Sequence, residues 1–234
     1  MKNNNSNSVL AVIPAREGSK RLKNKNMLPL GNIPLIQWSI NAATKAKNIT
    51  KVVVTSDDLL IKDLCQKLNT EFILRPTSLA QDTSSSLDVI IHSINFLAEK
   101  KETYEYLLLL QPTSPFRTHK HIDEAYNKLI KKNADAIISI KKTTEHPHWS
   151  KELNSDLNMS DFEITNQRKQ DLPPSYTLNG AIYLAKISEL IKQNTLFLRK
   201  NSYGFLMSDI DSIDIDTPID YQFCQFLYKS GFIS

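Results

Sequence analysis

The sequence predicts one α/β domain, built on a mostly parallel sheet with helices on both faces. Short β-branched apolar runs recur along the chain, and an amphipathic helical pattern follows most of them. The 234 residues are 41% hydrophobic and 23% charged, with 5 glycines and 10 prolines. A chain of this length and composition can bury a core, and it is unlike disordered, collagen-like or low-complexity proteins. We therefore treat residues 1–234 as a single domain.

The first part of the chain contains two strand–helix repeats. Val9–Pro14 reads VLAVIP, an apolar run ended by a proline, which predicts a buried strand. Apolar spacing predicts helices over 34–46 and 58–68, and short β-branched runs predict strands at Lys51–Ser56 and Glu71–Leu74. Such alternation is typical of parallel strands joined by right-handed crossovers.

The alternation continues to residue 140 and resumes after an irregular segment. We predict a helix over 84–99, a strand over 106–110, a helix over 121–132 and a strand over 134–140. Residues 142–177 are polar, include three prolines and show no period, so we expect an insertion that closes a site or contacts another subunit. The last predicted elements are a strand over 179–185, a helix over 187–193, an extended stretch over 212–216 and a helix over 217–229.

Three features predict a cytoplasmic protein without membrane insertion. The longest strictly aliphatic run, residues 107–110, is far shorter than the roughly 20 residues of a membrane span. Residues 1–8 have no apolar core of the kind that a signal peptide needs. Cys65 and Cys224 have helical apolar neighbours and no metal-ligand neighbours, so we expect packed thiols in a reducing compartment.

Charge is distributed unevenly, although the formal net charge is only +4. Five basic residues and one acid lie between Arg16 and Lys25, directly after the first strand, where open α/β sheets bind ligands. Gly18 and these cations can surround a polyphosphate, although neither G-x-x-x-x-G-K-[ST] nor G-x-G-x-x-G is present. A solvated basic loop and an RNA-contacting surface are the alternatives.

Five aspartates and no base lie between Ser208 and Asp220. Asp214 and Asp216 are two residues apart, so on an extended chain both carboxylates face the same side and can bind one hard cation. The alternative is an edge strand with its isoleucines inward and both aspartates in water. Together, the basic loop and the acidic pair predict a phosphate-plus-metal site.

Six segments, in order and spread over roughly residues 9–220, read PAREGSKRLKNKN from residue 14, LRP from 74, DTSSS from 82, LQPTSP from 110, NGAIY from 179 and DSIDIDT from 211. As an ordered set they resemble the CMP-sialic acid synthetases (acylneuraminate cytidylyltransferases) of bacteria. The resemblance implies a Rossmann-like nucleotidyltransferase sheet. It also implies transfer of CMP from CTP to the anomeric hydroxyl of a nine-carbon 2-keto sugar acid, with Mg²⁺ and release of pyrophosphate.

The resemblance also assigns residues to the nucleotide and the metal. The residues that it places around the nucleotide are Arg16, Lys20, Lys25, Asn26, Arg75, Ser84 and Ser86. It implies that Arg16, Lys25 and Asp214 are catalytic and that Asp214 and Asp216 hold the metal. The base is left open between Asp214 and a hydroxide on the metal. For the serines, capping of the following helix is an alternative.

On the acid side, the family contacts the sugar with residues that match Gln111, Lys151, Arg168, Asn179, Tyr183 and Phe197. Lys151 and Arg168 lie in the insertion, and the resemblance implies a homodimer in which 142–177 is the intersubunit arm. Core packing is the alternative for Phe197. His146 and His148, which have no third ligand nearby, are expected to be surface residues.

The identity of the acid remains open among N-acetylneuraminate, legionaminate and pseudaminate. The chain has Thr177 and Leu178 where many family members have an arginine before the Asn-Gly pair. A related enzyme for an eight-carbon keto acid is an alternative, and the Lys151 and Arg168 insertion favours the larger acid. An RNA-binding protein is a further alternative, but no aromatic residues interleave with the basic loop, so we expect no nucleic-acid partner.

Overall fold

The computed structural model describes residues 7–19, 21–81, 84–160 and 168–233. The strands are β1 (Val9–Pro14), β2 (Pro29–Leu30), β3 (Ile33–Pro34), β4 (Lys51–Ser56), β5 (Glu71–Leu74), β6 (Tyr106–Leu109), β7 (Ala136–Lys142), β8 (Tyr176–Lys186) and β9 (Ser202–Leu206). The helices are α1 (Leu35–Lys45), α2 (Leu59–Lys67), α3 (Ser86–Glu99), α4 (His119–Lys132), α5 (Ile187–Gln193) and α6 (Pro218–Lys229).

Seven of these strands form one sheet in the order β5-β4-β1-β6-β8-β7-β9, while β2 and β3 form a short separate hairpin. Strands β5, β4, β1 and β6 are parallel, and so are β7 and β9. Strand β8 runs antiparallel to both of its neighbours, β6 and β7. The predicted α/β class with a mostly parallel sheet is therefore confirmed.

Alternate residues of β1 show how the sheet is covered on both faces. Ala11 and Ile13 pack in one apolar cluster with Ile36 and Ile40 of α1. Leu10 and Val12 pack in a second cluster, whose helical members include Ile90 of α3 and Leu190 of α5. Because successive side chains of a strand point to opposite faces, these two clusters are the two layers of the core.

The antiparallel strand β8 carries a wide bulge opposite Ser139 of β7. Ile138 pairs with Tyr183 and Ile140 pairs with Leu178, so residues 179–182 face a single residue of β7. The Ser139 hydroxyl fills this gap, because its Oγ accepts from Ile182 N at 2.7 Å and donates to Ile182 O at 3.2 Å. The bulge diverts the chain at Asn179 and Gly180, which are the residues of the Asn-Gly motif.

The second half differs from the sequence analysis in two places. The extended stretch predicted over 212–216 joins no strand of the sheet: Ser212 belongs to a turn, and in the irregular chain that follows Ile215 N donates to Thr113 O of the loop after β6 at 2.8 Å. The edge strand of the sheet is instead β9, which the sequence analysis left unassigned. This strand contains a glycine, and its Tyr203 and Leu206 side chains are exposed. Polar and apolar residues therefore do not alternate along it as they do in a typical strand.

The insertion is shorter than predicted. Because β7 extends to Lys142 and β8 begins at Tyr176, its irregular part starts at Thr143, whose N–H donates to Ser175 O at 3.0 Å. The described residues of this segment contain two short 3-10 helices. His146, expected at the surface, is buried with Nε2 3.0 Å from Pro173 O.

Both cysteines are buried and free, as predicted. Burial raises the pKa of the Cys65 thiol to about 11, so this side chain packs as a neutral group. Within the described part of the chain, every helix is too short or too polar to cross a bilayer.

Candidate active site

A cavity of about 530 Å³ opens at the carboxyl ends of β1 and β6, between the basic loop (residues 16–25) and the acidic loop (residues 208–216). It is polar and brings together residues that lie up to 200 positions apart in the chain. The predicted site residues that line it are Arg16, Lys25, Asn26, Arg75, Ser84, Ser86, Gln111, Asp214 and Asp216. Lys20, the remaining predicted phosphate ligand, lies outside the described residues.

The basic loop is held by contacts to its own backbone. Glu17 N donates to the Asp57 carboxylate at 2.9 Å, and Asn26 Nδ2 donates to Arg16 O at 3.2 Å. Gly18 has a φ of +76°, a conformation that other residues rarely adopt. These contacts fix the path of the chain on both sides of Arg16, so the predicted phosphate ligand sits in a defined loop.

Lys25 joins the basic loop to the acidic loop. Its ammonium donates to Ile215 O and to Asp216 Oδ1, each at 3.0 Å. Arg21 adds a longer contact to the other carboxylate oxygen of Asp216, at 3.6 Å. The two oppositely charged segments that the sequence analysis identified therefore meet at one side of the cavity.

The acidic loop is anchored between its two predicted metal ligands. Ile215 is fully buried, which leaves the flanking Asp214 and Asp216 carboxylates at the cavity wall. Although Asp214 keeps an exposed surface, the protein atoms crowded around its carboxyl raise its pKa, and Asp216 adds to this rise. A hydrogen bond from the Thr113 side chain and the charge of Lys25 oppose it.

Asp220 supports the same loop from the start of α6. Its carboxylate accepts from Thr217 N at 2.7 Å, from Thr217 Oγ1 at 2.8 Å and from Asp216 N at 3.1 Å. Burial acts to raise the pKa of Asp220, but these hydrogen bonds prevail and lower it. Asp220 therefore works as a capping carboxylate and is not free to serve as a third ligand.

The donor set of this wall suits Mg²⁺. Two carboxylates face one polar cavity, and hard oxygen donors are the ligands that Mg²⁺ prefers. Within the described residues, no group of three or more His, Cys, Asp and Glu side chains is placed to hold a metal. A cation held by Asp214 and Asp216 would therefore complete its coordination with phosphate and water oxygens, as is usual for magnesium.

Arg75 is buried at the other end of the cavity. Its Nη2 donates to Thr55 O at 2.7 Å, while Nε has no partner among the described residues. Burial lowers the pKa of the guanidinium; nearby Arg16 lowers it further and Asp57 raises it. The side chain is thus a fixed donor whose Nε–H, unpartnered within the described structure, lies in the region predicted for the base.

The serines beside Arg75 divide their roles. Ser85 caps α3, because its Oγ accepts from Asp88 N at 3.1 Å. Ser84 and Ser86 line the cavity. The capping alternative therefore applies to Ser85. Ser84 and Ser86, the two predicted nucleotide ligands, face the cavity.

A second, more apolar cavity of about 340 Å³ adjoins the first and shares Ser86 and Gln111 with it. Tyr183 and Phe197 form one wall, with ring centroids 5.6 Å apart and an interplanar angle of 88°. Burial and the charge of Asp214 raise the pKa of Tyr183, so its hydroxyl stays protonated. Phe197 is 46% exposed, which argues against the core-packing alternative.

Asn179 lies behind this wall and is buried. Its Nδ2 donates to Ser212 Oγ at 2.8 Å, and its Oδ1 accepts from Ala181 N at 3.2 Å. Gly180 follows with a φ of +76°, and a Cβ there would lie 2.6 Å from Gln111 Oε1. In the described structure, Asn179 thus links β8 to the acidic loop and does not line either cavity.

The order and spacing of these groups match a known family. The sequence model of the family described as Cytidylyltransferase matches residues 10–227. The chain belongs to the cytidylyltransferase family. Every residue described at the two cavities falls within the matched range.

Two curated relatives within this family are similar to the chain over most of its length. The chain is 34% identical over 228 residues to the CMP-N,N'-diacetyllegionaminic acid synthase of Legionella pneumophila, covering 94% of this chain and 96% of that one. It is 33% identical over 219 residues to the N-acylneuraminate cytidylyltransferase of Escherichia coli O18:K1:H7, covering 92% of this chain and 50% of that one. The chain thus spans about half the length of this second relative.

Solved structures agree on the fold of the cytidylyltransferase. A CMP:2-keto-3-deoxy-manno-octonic acid synthetase complexed with CTP superposes with a TM-score of 0.71 at 15% identity, covering 96% of this chain and 99% of that one. The 4-diphosphocytidyl-2C-methyl-D-erythritol synthase of Anaerococcus prevotii has a TM-score of 0.68, also at 15% identity, covering 94% and 96%. At such identity the likeness establishes the architecture alone.

Two residues that were predicted to bind the sugar acid lie apart from both cavities. Lys151 and Arg168 are exposed, and neither belongs to the described linings. Arg168 pairs with Asp171, with Nε 2.9 Å from Oδ2. A single copy of the chain therefore does not bring these two residues to the remainder of the site.

The sequence analysis missed three residues that shape the site, one of which, Thr113, lines the first cavity. Thr113 binds the acidic loop through both its carbonyl and its side chain, and Asp57 holds the basic loop. Both lie just after a strand at the ligand edge of the sheet, and this position was the available signal. Arg117, which is fully buried, had no signal, because its neighbours in QPTSPFRT predict only a turn.

Proposed function

We propose that this cytidylyltransferase transfers CMP from CTP to the anomeric hydroxyl of a nonulosonic acid of the sialic, legionaminic or pseudaminic type and releases pyrophosphate. The observation that carries the proposal is a single cavity in which a basic loop, an acidic pair and a buried arginine with two serines face one another. Relatives named for legionaminic acid and N-acylneuraminate support the acid class, as does the Campylobacter jejuni pseudaminic acid cytidylyltransferase, 30% identical over 224 residues.

In this proposal the basic loop binds the triphosphate. Phosphoryl transfer depends on positioning and on neutralised charge more than on covalent help from the protein. Arg16 and Lys25 neutralise charge on the α-phosphate and the departing pyrophosphate, Lys20 is a further ligand of the triphosphate, and Asn26 bonds to the backbone of Arg16. The cytosine and ribose lie against Arg75, Ser84 and Ser86, where hydrogen-bond donors discriminate between bases better than an apolar wall does.

Asp214 and Asp216 would hold Mg²⁺, which, when bound, neutralises phosphate charge and aligns the transferred group. The pairing of Lys25 with Asp216 places a cation beside the same carboxylate in the described structure. Asp214 is also our candidate for the group that accepts the proton of the attacking hydroxyl. The Asp214 carboxylate lines the first cavity and its charge reaches Tyr183 of the second, so it borders the region proposed for the acid.

The acid occupies the second cavity in this proposal. Gln111 and the Tyr183 hydroxyl supply polar contacts, and the exposed ring of Phe197 packs against the acyl group of the sugar. The proposal also includes a cytoplasmic homodimer. In it, the 142–177 arm of one subunit brings Lys151 and Arg168 towards the sugar carboxylate at the site of the other.

Pyrophosphate release tests the reaction. CTP and Mg²⁺ are supplied with N-acetylneuraminate, legionaminate, pseudaminate or the eight-carbon keto acid, with ATP, GTP and UTP as nucleotide controls. CTP-specific release with one nine-carbon acid is the expected result. Release with the eight-carbon acid alone would assign the chain to that substrate, and silence of the folded protein with every acid would refute the proposal.

Light scattering coupled to size-exclusion chromatography tests the dimer. A mass of about twice 26.7 kDa is expected at micromolar concentration. A monomer that turns over at the full rate would refute both the dimer and the roles of Lys151 and Arg168 across it.

A further inference from the structure

The loop after β6 and the bulge of β8 are tied together by one buried cation. Arg117 is 1% exposed, and it is the largest side chain that the described core buries completely. Its Nε donates to Ala181 O at 2.9 Å, and its Nη2 donates to Gln111 O at 3.1 Å and to Ser39 Oγ at 2.8 Å. Three separate elements therefore meet on a single guanidinium: α1, the loop after β6, and β8.

No carboxylate of the described residues forms a salt bridge with Arg117. Burial lowers its pKa to about 9, and Nη1 finds no hydrogen-bond partner in the described structure. A buried charge without a counterion costs stability, and an apolar side chain of similar volume often fills such a space as well or better. Packing alone therefore does not account for an arginine here.

The guanidinium contributes directed hydrogen bonds at the back of the proposed acid site. Gln111 O also accepts from Ser39 Oγ at 3.3 Å and from Ser114 N at 3.3 Å, so the backbone at Gln111 is held by three donors. The Gln111 side chain lies close against Gly180, the residue before the Ala181 carbonyl that Arg117 also holds. The planar guanidinium donates to both the Gln111 and the Ala181 carbonyl, and it thus sets the distance between Gln111 and the β8 bulge that precedes Tyr183.

We propose that Arg117 is a positioning residue that sets the affinity for the acid by fixing the distance between Gln111 and the β8 bulge. This inference rests on the proposed function, because it takes the second cavity as the acid site. Arg117 is fully buried and acts through the backbone of other residues. Its loss should therefore raise the KM of the acid and leave the affinity for CTP nearly unchanged.

The test compares Arg117→Met and Arg117→Lys with the unsubstituted chain. We expect the KM of the preferred acid to rise about tenfold or more in both variants, with the Kd of CTP within about threefold. Lysine should not rescue, because a single ammonium cannot reproduce the planar fork that reaches two carbonyls. An unchanged KM for the acid in a folded Arg117→Met protein, or equal losses for acid and CTP, would overturn the proposal.

Ser39→Ala keeps the proposal testable if the Arg117 variants do not fold. It removes one partner of the guanidinium and one donor to Gln111 O, so a rise of about threefold in the KM of the acid is expected. Ser93→Ala is the matched control, because Ser93 is a second fully buried helical serine, and among the described residues its hydroxyl bonds only to Val89 O of its own helix. Equal effects of the two serine variants would refute the role of Arg117.

Hydrogen exchange on the ligand-free protein separates this proposal from the proposed function. Arg117→Met should speed amide exchange in residues 111–116 and 178–183 and leave α2 unchanged. Uniform or absent changes would overturn the positioning role, whatever the activity. If the unsubstituted chain releases no pyrophosphate with any acid, the proposed function is refuted. The exchange result would still decide whether Arg117 orders these two segments.

Discussion

The ammonium of Lys25 lies 3.0 Å from the Asp216 carboxylate oxygen Oδ1, although 191 residues separate them in sequence. The lysine side chain is 14% exposed and the aspartate 51%, so the pair stands at the rim of the cavity with its cation on the inside. In the proposed function, the lysine binds phosphate and the aspartate holds the metal cation. The pair therefore marks the point at which the two halves of the proposed chemistry touch.

Removal of the Asp216 charge should greatly reduce turnover. In Asp216→Asn the side chain keeps its shape but loses the anionic oxygen that would hold Mg²⁺, so we expect kcat to fall about 100-fold or more at ordinary magnesium. Raising the magnesium concentration should restore part of the rate. Pyrophosphate release over a magnesium titration measures both effects.

Asp209→Asn is the matched control for this change. Asp209 belongs to the same acidic segment and is exposed, but it does not line the cavity. Its substitution should leave kcat and the magnesium dependence unchanged. Near-normal turnover of Asp216→Asn at ordinary magnesium would remove Asp216 from the metal site.

The Arg75→Lys exchange should weaken CTP without weakening a bare triphosphate. Lysine keeps the charge, but its compact ammonium lacks the planar spread of N–H groups by which the guanidinium holds the Thr55 carbonyl and presents Nε to the site. We expect the Kd of CTP to rise about tenfold and that of inorganic tripolyphosphate to change by less than about twofold. Calorimetric titration of both ligands checks this, and parallel losses would place Arg75 at the phosphates.

The Phe197→Ala change should alter the preference among acids. Loss of the ring removes one wall of the second cavity, so we expect the KM of the preferred acylated acid to rise about tenfold while that of CTP stays the same. The eight-carbon acid, which lacks the acyl group, should be used no worse than before. Equal losses for acylated and unacylated acids would show that Phe197 acts only in packing.

Stability should depend on pH through Glu71. Burial acts to raise the pKa of this carboxyl, but Lys51 and Lys100, which both pair with it, outweigh burial and lower the pKa below its ordinary value of 4.5. A lowered pKa in the folded state means that the contribution to stability is present above about pH 4.5 and is lost as pH falls through the lowered pKa.

Chemical denaturation at several pH values between about 3 and 6 checks this dependence. Glu71→Gln should have a smaller free energy of unfolding near pH 6, and its stability should fall less steeply on acidification. The control is Glu124→Gln, on an exposed position of α4. The same acid dependence in Glu71→Gln and in the unsubstituted chain would show that the lysine pairs do not stabilise the fold.

Local patterns predicted the parallel half of the fold because its strands are buried on both faces and its helices are amphipathic. The run VLAVIP predicts a buried strand, and the spacing of Ile36 and Ile40 predicts a helix. The direction of β8 is a different matter. Nothing in its residues distinguishes an antiparallel strand from a parallel one, since the pairing is set by β6 and β7, far away in the chain.

The predicted residues of the first cavity came from segments that resemble a family, and the charges of the basic loop and the acidic pair pointed to the same place. Supporting residues with no such signal were missed. Arg117 looks like any arginine in a polar turn, and only the packing of α1, β8 and the loop after β6 makes it a buried cation. The extended stretch predicted over 212–216 joins no sheet for a related reason, because regular alternation of aspartate and isoleucine does not provide a neighbouring strand.

The place of β8 between β6 and β7 has a consequence for the emerging polypeptide. Strand β7, with the apolar sequence AIISI, hydrogen-bonds to β8 and β9 but to no strand that precedes it. During synthesis it therefore leaves the ribosome before either of its partners exists, with two open edges and only its preceding helix for cover. A nascent chain that stops before residue 176 would expose an unpaired apolar strand, and such a strand can pair with the same strand of another copy.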